Sequence, residues 1–207
     1  MKYIFVTGSP GSKWSNIIKN IYNCPAIDQS DYDEKTRTYY HNPDGGDKHL
    51  MHLGAYYDPG MEFGDWFDEL DKHSKEECEA EFDKPFSDRG VRIIRSHVFA
   101  HHIDFLKEHW PNCPIILVYR DNDQCLGWWV RCGHFDITYP LYHKYYVNLL
   151  KMGEIIKDQN RDILEHWDSK EGTIVDDNVE LASVLKIGKP KSYQNYVEER
   201  DIKVKVI

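Results

Sequence analysis

Two kinds of hydrophobic pattern alternate along the chain. Short uninterrupted apolar runs are typical of strands buried on both faces of a parallel sheet, whereas apolar residues spaced three and four apart are typical of one face of a helix. Because strands that alternate with helices form a parallel sheet covered on both sides, the pattern predicts a three-layer α/β fold with a central parallel sheet flanked by helices. The predicted strands are 3–6, 91–94, 115–119 and 173–175.

Helices are predicted between and after these strands. The first begins at Trp14, and its apolar residues recur at the spacing of one helical face as far as Tyr22. A long helix is predicted from Pro140 to about Trp167, because proline suits the first position of a helix. The remaining helices are predicted at 65–82, at 103–110, at about 123–132 and in a short segment that ends near residue 188.

Residues 23–64 show little periodicity and are rich in Asp, Gly, Tyr and His. Such a stretch is either an ordered functional excursion or a partly mobile loop. With the acidic helix that follows, it makes residues 23–82 an irregular and helical excursion from the alternating pattern. Since no repeat or linker divides the chain, we expect one domain over 1–207.

Composition and charge narrow the possible functions. A chain of 207 residues that is 41% hydrophobic can bury one core, and its net charge of −9 repels nucleic acids and anionic membranes. The N-terminal apolar run is too short for a signal peptide or a membrane span. The five cysteines are odd in number and form no Cys-x-x-Cys motif, which favours reduced thiols. We therefore expect a cytoplasmic protein.

A glycine-rich loop, Gly8 to Ser15, joins the first strand to the first helix. Such a loop presents backbone N–H groups and the positive end of a helix to an anion, and Lys13 adds a full charge. The loop is not a regular phosphate-binding motif of the GxxxxGK[ST] type, since Trp14 occupies the position after the lysine. Because the hydroxyl at that position holds Mg²⁺ in kinases, the sequence disfavours a metal-dependent kinase.

Two further candidates follow predicted strands. The segment Arg95-Ser96-His97 comes after the strand 91–94, and Arg120 comes after the strand 115–119. Ligands of α/β sheets bind outside the carboxyl ends of strands, so His97 is placed to act as a base and Arg120 to hold a phosphate. The histidine pair at 97 and 101 has metal-ligand spacing without a supporting motif, and no metal is expected.

Taken together, these segments resemble the cytosolic-type sulfotransferases, a family of P-loop fold. Gly11-Ser12-Lys13-Trp14 is similar to the family's 5′-phosphosulfate loop, with a lysine in place of one hydroxyl residue. Arg95-Ser96-His97 is similar to its catalytic segment. The strand end at Tyr119-Arg120-Asp121-Asn122 is similar to the start of its 3′-phosphate site. The match departs at Gly127-Trp128, where the family has a serine, and at 189–207, which lacks an Arg-Lys-Gly segment.

The resemblance implies transfer of a sulfuryl group from 3′-phosphoadenosine 5′-phosphosulfate to a hydroxyl of a small molecule or glycan, without a metal. His97 would be the general base, and Lys13 would stabilise the leaving phosphate. Arg120 would bind the ribose phosphate. The residues implied to bind the cofactor are Gly11, Ser12, Lys13, Trp14, Ser15 and Arg120.

Two alternatives stay open at this point. One is a P-loop kinase of a nucleoside or small metabolite, in which Lys13 and Ser15 act with Mg²⁺. The other is a degenerate nucleotide-binding module that has lost its chemistry, which the departures at Gly127-Trp128 and in the C-terminal segment allow.

Overall fold

A computed structural model describes residues 1–31, 54–57, 66–87, 89–131, 147–190 and 201–207. The described residues form a six-stranded sheet in the order β2-β3-β1-β4-β6-β5. The first four strands in this order run parallel to one another, whereas β6 is antiparallel to both β4 and β5. The strands are β1 (Tyr3–Gly8), β2 (Ala55–Tyr56), β3 (Arg92–Arg95), β4 (Ile115–Tyr119), β5 (Thr173–Val175) and β6 (Lys203–Val206).

Helices connect the strands and cover the sheet. They are α1 (Trp14–Tyr22), α2 (Lys75–Asp83), α3 (Ile103–His109), α4 (Asn122–Arg131), α5 (Leu149–Trp167) and α6 (Asn178–Val184). Two 3₁₀ turns, Phe67–Lys72 and Val98–His102, precede α2 and α3. Among the ranges described, no helix combines the length and the apolar character needed to cross a membrane.

The sheet carries a hydrophobic core on each face. Successive residues of β1 point to opposite faces, so that Ile4 and Val6 pack with α1 while Tyr3 and Phe5 pack with α2 and α3. All four side chains are fully buried. This arrangement confirms the predicted α/β class and the burial of the first strand on both of its faces.

The expectation of a wholly parallel sheet is wrong, because β6 enters it between β4 and β5 in the opposite direction. Its sequence alternates, with Val204 and Val206 buried in the core and Lys203 exposed. Such alternation is the usual pattern of an antiparallel strand. The sheet is therefore mixed, and the C-terminal residues belong to its interior.

Two predicted helices have different boundaries. The helix predicted at 65–82 is interrupted before Lys75, because the Ser74 hydroxyl accepts a hydrogen bond from the Glu77 N–H while the Glu77 carboxylate accepts one from the Ser74 N–H. Likewise, α5 begins at Leu149, because extended Asn148 caps it. The predicted start of that helix, at residue 140, lies outside the described residues.

The C-terminal end of α5 is held by a lysine from the sheet. Lys205 is buried, and its Nζ donates hydrogen bonds to the carbonyls of His166, Trp167 and Ser169 at 3.2, 2.6 and 2.8 Å. The last carbonyls of a helix lack partners within the helix and carry its negative dipole end, so a buried ammonium satisfies both needs. This contact ties β6 to α5.

We expect Lys205→Met to lower the free energy of unfolding by about 1–2 kcal/mol, because it removes the donor of three part-buried hydrogen bonds to carbonyls. The matched control is Lys203→Met, which changes an exposed lysine of the same strand. Urea denaturation of both variants measures the difference. Equal losses in the two variants would contradict this role of Lys205.

Candidate functional site at the carboxyl ends of three strands

The three segments singled out in the sequence meet at one edge of the sheet. β1 pairs in parallel with β3 on one side and with β4 on the other, with Val6 opposite Arg95 and Gly8 opposite Val118. From β1 the chain leads towards β3 and β2, whereas β4 lies on the other side of β1. A reversal of this kind opens a crevice at the strand ends, where ligands of α/β sheets bind.

The loop after β1 turns sharply into α1. The Ser12 N–H donates to the Ser9 carbonyl at 3.0 Å, and Gly11 and Lys13 both have left-handed backbones, with φ of 83° and 63°. Lys13 is the residue that precedes α1, and its side chain makes no capping hydrogen bond. The loop therefore brings the positive end of a nine-residue helix to the crevice.

A buried hydroxyl lies inside this loop. Ser12 is fully buried, and its Oγ has no hydrogen-bond partner among the described residues. The hydroxyl fills the space above Gly8, where a Cβ added to that glycine would lie 2.7 Å from it. A buried hydroxyl without a partner costs free energy unless a ligand or water accepts a hydrogen bond from it.

His97 is held against the loop. Its ring is buried and stacks on Trp14 at 4.0 Å between centroids, with the edge of Tyr56 at 5.8 Å. Its Nδ1 hydrogen-bonds to the carbonyl oxygen of Gly8. Because a carbonyl can only accept, Nδ1 is the donor of this hydrogen bond, and in the neutral imidazole the basic lone pair then lies on Nε2. The Nδ1 hydrogen bond and the stacking on Trp14 therefore fix the position of the His97 ring, and its neutral form has the tautomer that a general base requires.

Arg95 is a residue of the site to which the sequence analysis gave no role. Its guanidinium is buried, lies 4.9 Å from the ring centroid of Tyr56 and 5.6 Å from that of Trp14, and donates to the Ser15 hydroxyl at 3.3 Å. It thus adds a positive charge beside the first turn of α1. One feature of the sequence points to Arg95: it is the basic residue that ends β3, the strand that pairs with β1.

Lys13 points across the crevice to α4. Its Nζ lies 4.1 Å from the ring centroid of Trp128, a cation–π distance, and Arg131 approaches the same ring at 5.3 Å. Trp128 belongs to the pair Gly127-Trp128, near which the resemblance would place a serine. A side chain at the point of departure from the family's pattern therefore contacts the lysine of the loop.

Arg120 also reaches the loop, and its guanidinium is already engaged there. Nη1 donates to the Gly11 carbonyl at 3.1 Å, and Nη2 donates to the Gln124 side chain at 3.2 Å. Nε and Nη2 lie 2.8 and 2.6 Å from one carboxylate oxygen of Asp201. Only 4% of the Arg120 side chain is exposed. The structure thus brings Arg120 to the expected place and gives it an internal anion as partner.

α4 packs directly on the loop. A Cβ added to Gly11 would lie 2.0 Å from the Cys125 carbonyl oxygen, so only glycine fits there. The Cys125 thiol lies 3.4 Å from both the Ser9 hydroxyl and the Arg120 carbonyl, and burial raises its pKa to about 11. Cys125 is therefore a protonated packing residue and not a nucleophile.

The histidines with metal-ligand spacing have different partners. His97 bonds to the Gly8 carbonyl, whereas Nδ1 of His101 bonds to the Asp162 carboxylate. Within the described ranges, no group of three or more histidine, cysteine and acidic side chains is arranged to hold a metal ion.

The chain matches no protein-family model, no curated protein and no solved structure.

Gly11→Ala should destabilise the protein by more than about 1 kcal/mol, because the new Cβ meets backbone and the residue has a left-handed φ. Gly127→Ala is the matched control: it lies within α4, has nothing within 4 Å of an added Cβ, and should gain roughly 0.5–1 kcal/mol. Urea denaturation compares the two. Equal stability of the two variants would contradict the close packing of α4 on the loop.

Proposed function

We propose that this protein is a sulfotransferase of P-loop type, which transfers a sulfuryl group from 3′-phosphoadenosine 5′-phosphosulfate to a hydroxyl of an acceptor. The observation that carries the proposal is the hydrogen bond between His97 Nδ1 and the Gly8 carbonyl. It joins an imidazole, whose neutral form has its basic lone pair on Nε2, to a loop that can hold an anion. A base fixed beside an anion site is the arrangement that group transfer to a hydroxyl requires.

The loop supplies the anion site. The N-terminus of α1 offers a positive dipole end, the buried Ser12 hydroxyl offers a hydrogen-bond donor, and Arg95 beside Ser15 offers a full charge. Positive groups that are fixed in place before the reaction stabilise the charge that develops on a leaving phosphate oxygen. We assign the 5′-phosphosulfate end of the donor to this site, with Lys13 at its rim.

His97 carries the proton transfer. Its Nε2 removes the proton of the acceptor hydroxyl as the acceptor oxygen forms a bond to sulfur. The bond between sulfur and the bridging oxygen breaks in line, and 3′-phosphoadenosine 5′-phosphate leaves with the negative charge. Lys13 and the first turn of α1 are the groups in this chain that stabilise the departing oxygen.

The residue at position 14 favours sulfuryl over phosphoryl transfer. In a P-loop kinase the hydroxyl after the lysine binds Mg²⁺, and here that place is taken by Trp14, which is buried and stacked on His97. The next hydroxyl, on Ser15, accepts a hydrogen bond from Arg95 and thus has a cation as neighbour. A P-loop kinase of a nucleoside or small metabolite is therefore the weaker candidate.

A degenerate nucleotide-binding module is the other candidate. The observation in its favour is that Trp128 faces Lys13 near the place where the resemblance would put a serine. Such a module would bind the nucleotide without turnover.

Calorimetry on the wild-type chain and on Lys13→Ala separates the sulfotransferase from the kinase at the level of binding, whereas the degenerate module differs from the sulfotransferase only in turnover. We expect 3′-phosphoadenosine 5′-phosphate to bind with a micromolar Kd and Lys13→Ala to weaken it, because the variant removes a charge from the loop. A preference for ATP with Mg²⁺ would instead support the kinase.

His97→Gln should lower turnover by roughly 10²- to 10⁴-fold, because the amide cannot act as a base, and should keep affinity for the bisphosphate. Turnover is measured as bisphosphate released from the donor in the presence of phenols, alcohols and sugars. The matched control is His101→Gln, which changes an exposed histidine in the turn that follows and should keep full turnover. Undiminished turnover in a folded His97→Gln variant would rule out His97 as the base.

A further inference from the structure

The anion-binding edge of Arg120 is occupied by a carboxylate of the same chain. Arginine grips carboxylates and phosphates through the edge formed by Nε and one Nη, and in Arg120 both of these atoms lie within 2.8 Å of Asp201 Oδ2. The remaining contacts of the guanidinium are to the Gly11 carbonyl and the Gln124 side chain. These two contacts orient Arg120 towards the loop, and the edge formed by Nε and Nη2 faces an anion.

Asp201 reaches this position because β6 is antiparallel. Lys203, the first residue of β6, pairs with Tyr119, the last residue of β4, so the residues before β6 lie at the carboxyl edge of the parallel strands. Asp201 is thereby brought to the crevice where a ligand would bind. Its side chain is 28% exposed, against 4% for Arg120, so the ion pair is open to solvent on the aspartate side.

A ligand anion could take over this position without any movement of Arg120. A buried guanidinium needs an anionic partner, since removal of one member of such a pair is strongly destabilising. A phosphate or sulfate group presents the same paired acceptors as a carboxylate and satisfies the same edge. Exchange of Asp201 for a ligand anion would therefore keep Arg120 paired throughout. The ligand would approach from the solvent-exposed side of the pair, where Asp201 lies.

We propose that Asp201 is an internal competitor for the anion site of Arg120, and that a phosphate or sulfate group of the ligand displaces it on binding. Affinity for the ligand is then reduced by the strength of the Arg120–Asp201 contact, and Asp201 is a determinant of affinity. The nucleotide that carries the displacing group is named only by the proposed function, on which that part of the inference rests.

The test is Asp201→Asn, with inorganic sulfate as the probe. The amide keeps the shape of the side chain and loses its charge, so sulfate should bind at least about tenfold more tightly than to the wild type, a typical size for coupling between sites. Calorimetry in chloride of matched ionic strength measures the ratio. The gain should be lost in Asp201→Asn/Arg120→Gln, because sulfate then has no guanidinium to bind.

Asp158→Asn is the matched control, since Asp158 is an aspartate paired with Arg161 at 3.0 Å and loses the same charge in the variant. It should leave sulfate affinity unchanged. Equal sulfate responses of wild type and Asp201→Asn, including no response in either, would overturn the inference. A loss of thermal stability in Asp201→Asn without a gain in sulfate affinity would show that Asp201 has a structural role only.

This outcome is separate from that of the proposed function. A tenfold gain in sulfate affinity together with no sulfuryl transfer to any acceptor would support the competition by Asp201 and contradict the assigned activity. Sulfuryl transfer together with equal sulfate affinities of the wild type and Asp201→Asn would support the assigned activity and contradict the competition.

Discussion

The site depends on the parallel pairing of β1 with β3 on one side and β4 on the other. Because parallel neighbours end at the same edge of a sheet, this pairing brings three distant segments of the chain to one crevice. The register of the strands then determines which groups meet. Gly8 is placed so that its carbonyl accepts a hydrogen bond from His97 and so that the loop after it packs on α4. A slip of one residue in either pair would turn these groups to the opposite face.

Much of the fold could be predicted because buried parallel strands and amphipathic helices have strong patterns. The sequence does not predict the antiparallel β6, although residues 202–206 alternate, because the pattern of a strand reveals neither its direction nor its neighbours. β2 has two residues and carries no periodic signal. The helix boundaries at Ser74 and Asn148 depend on capping hydrogen bonds that interrupt a continuing apolar pattern.

For the site, the sequence located the loop, His97 and Arg120 but not their partners. The Nδ1 hydrogen bond of His97 spans 89 positions and the Arg120–Asp201 contact spans 81, so neither could be read from local spacing. The chain as a whole is acidic, with a net charge of −9, yet Lys13, Arg95 and Arg120 all lie at the crevice, and of these Arg120 is paired with Asp201. A local concentration of positive charge in an acidic protein favours a small anionic ligand over a polyanion.

The most direct test of the central claim is transfer of radioactive sulfur from labelled 3′-phosphoadenosine 5′-phosphosulfate to a panel of hydroxyl acceptors in the presence of EDTA. The account predicts labelled product at a rate that added Mg²⁺ does not change. Retention of the label on the donor with every acceptor, together with Mg²⁺-dependent transfer of phosphate from ATP, would contradict the proposed sulfuryl transfer.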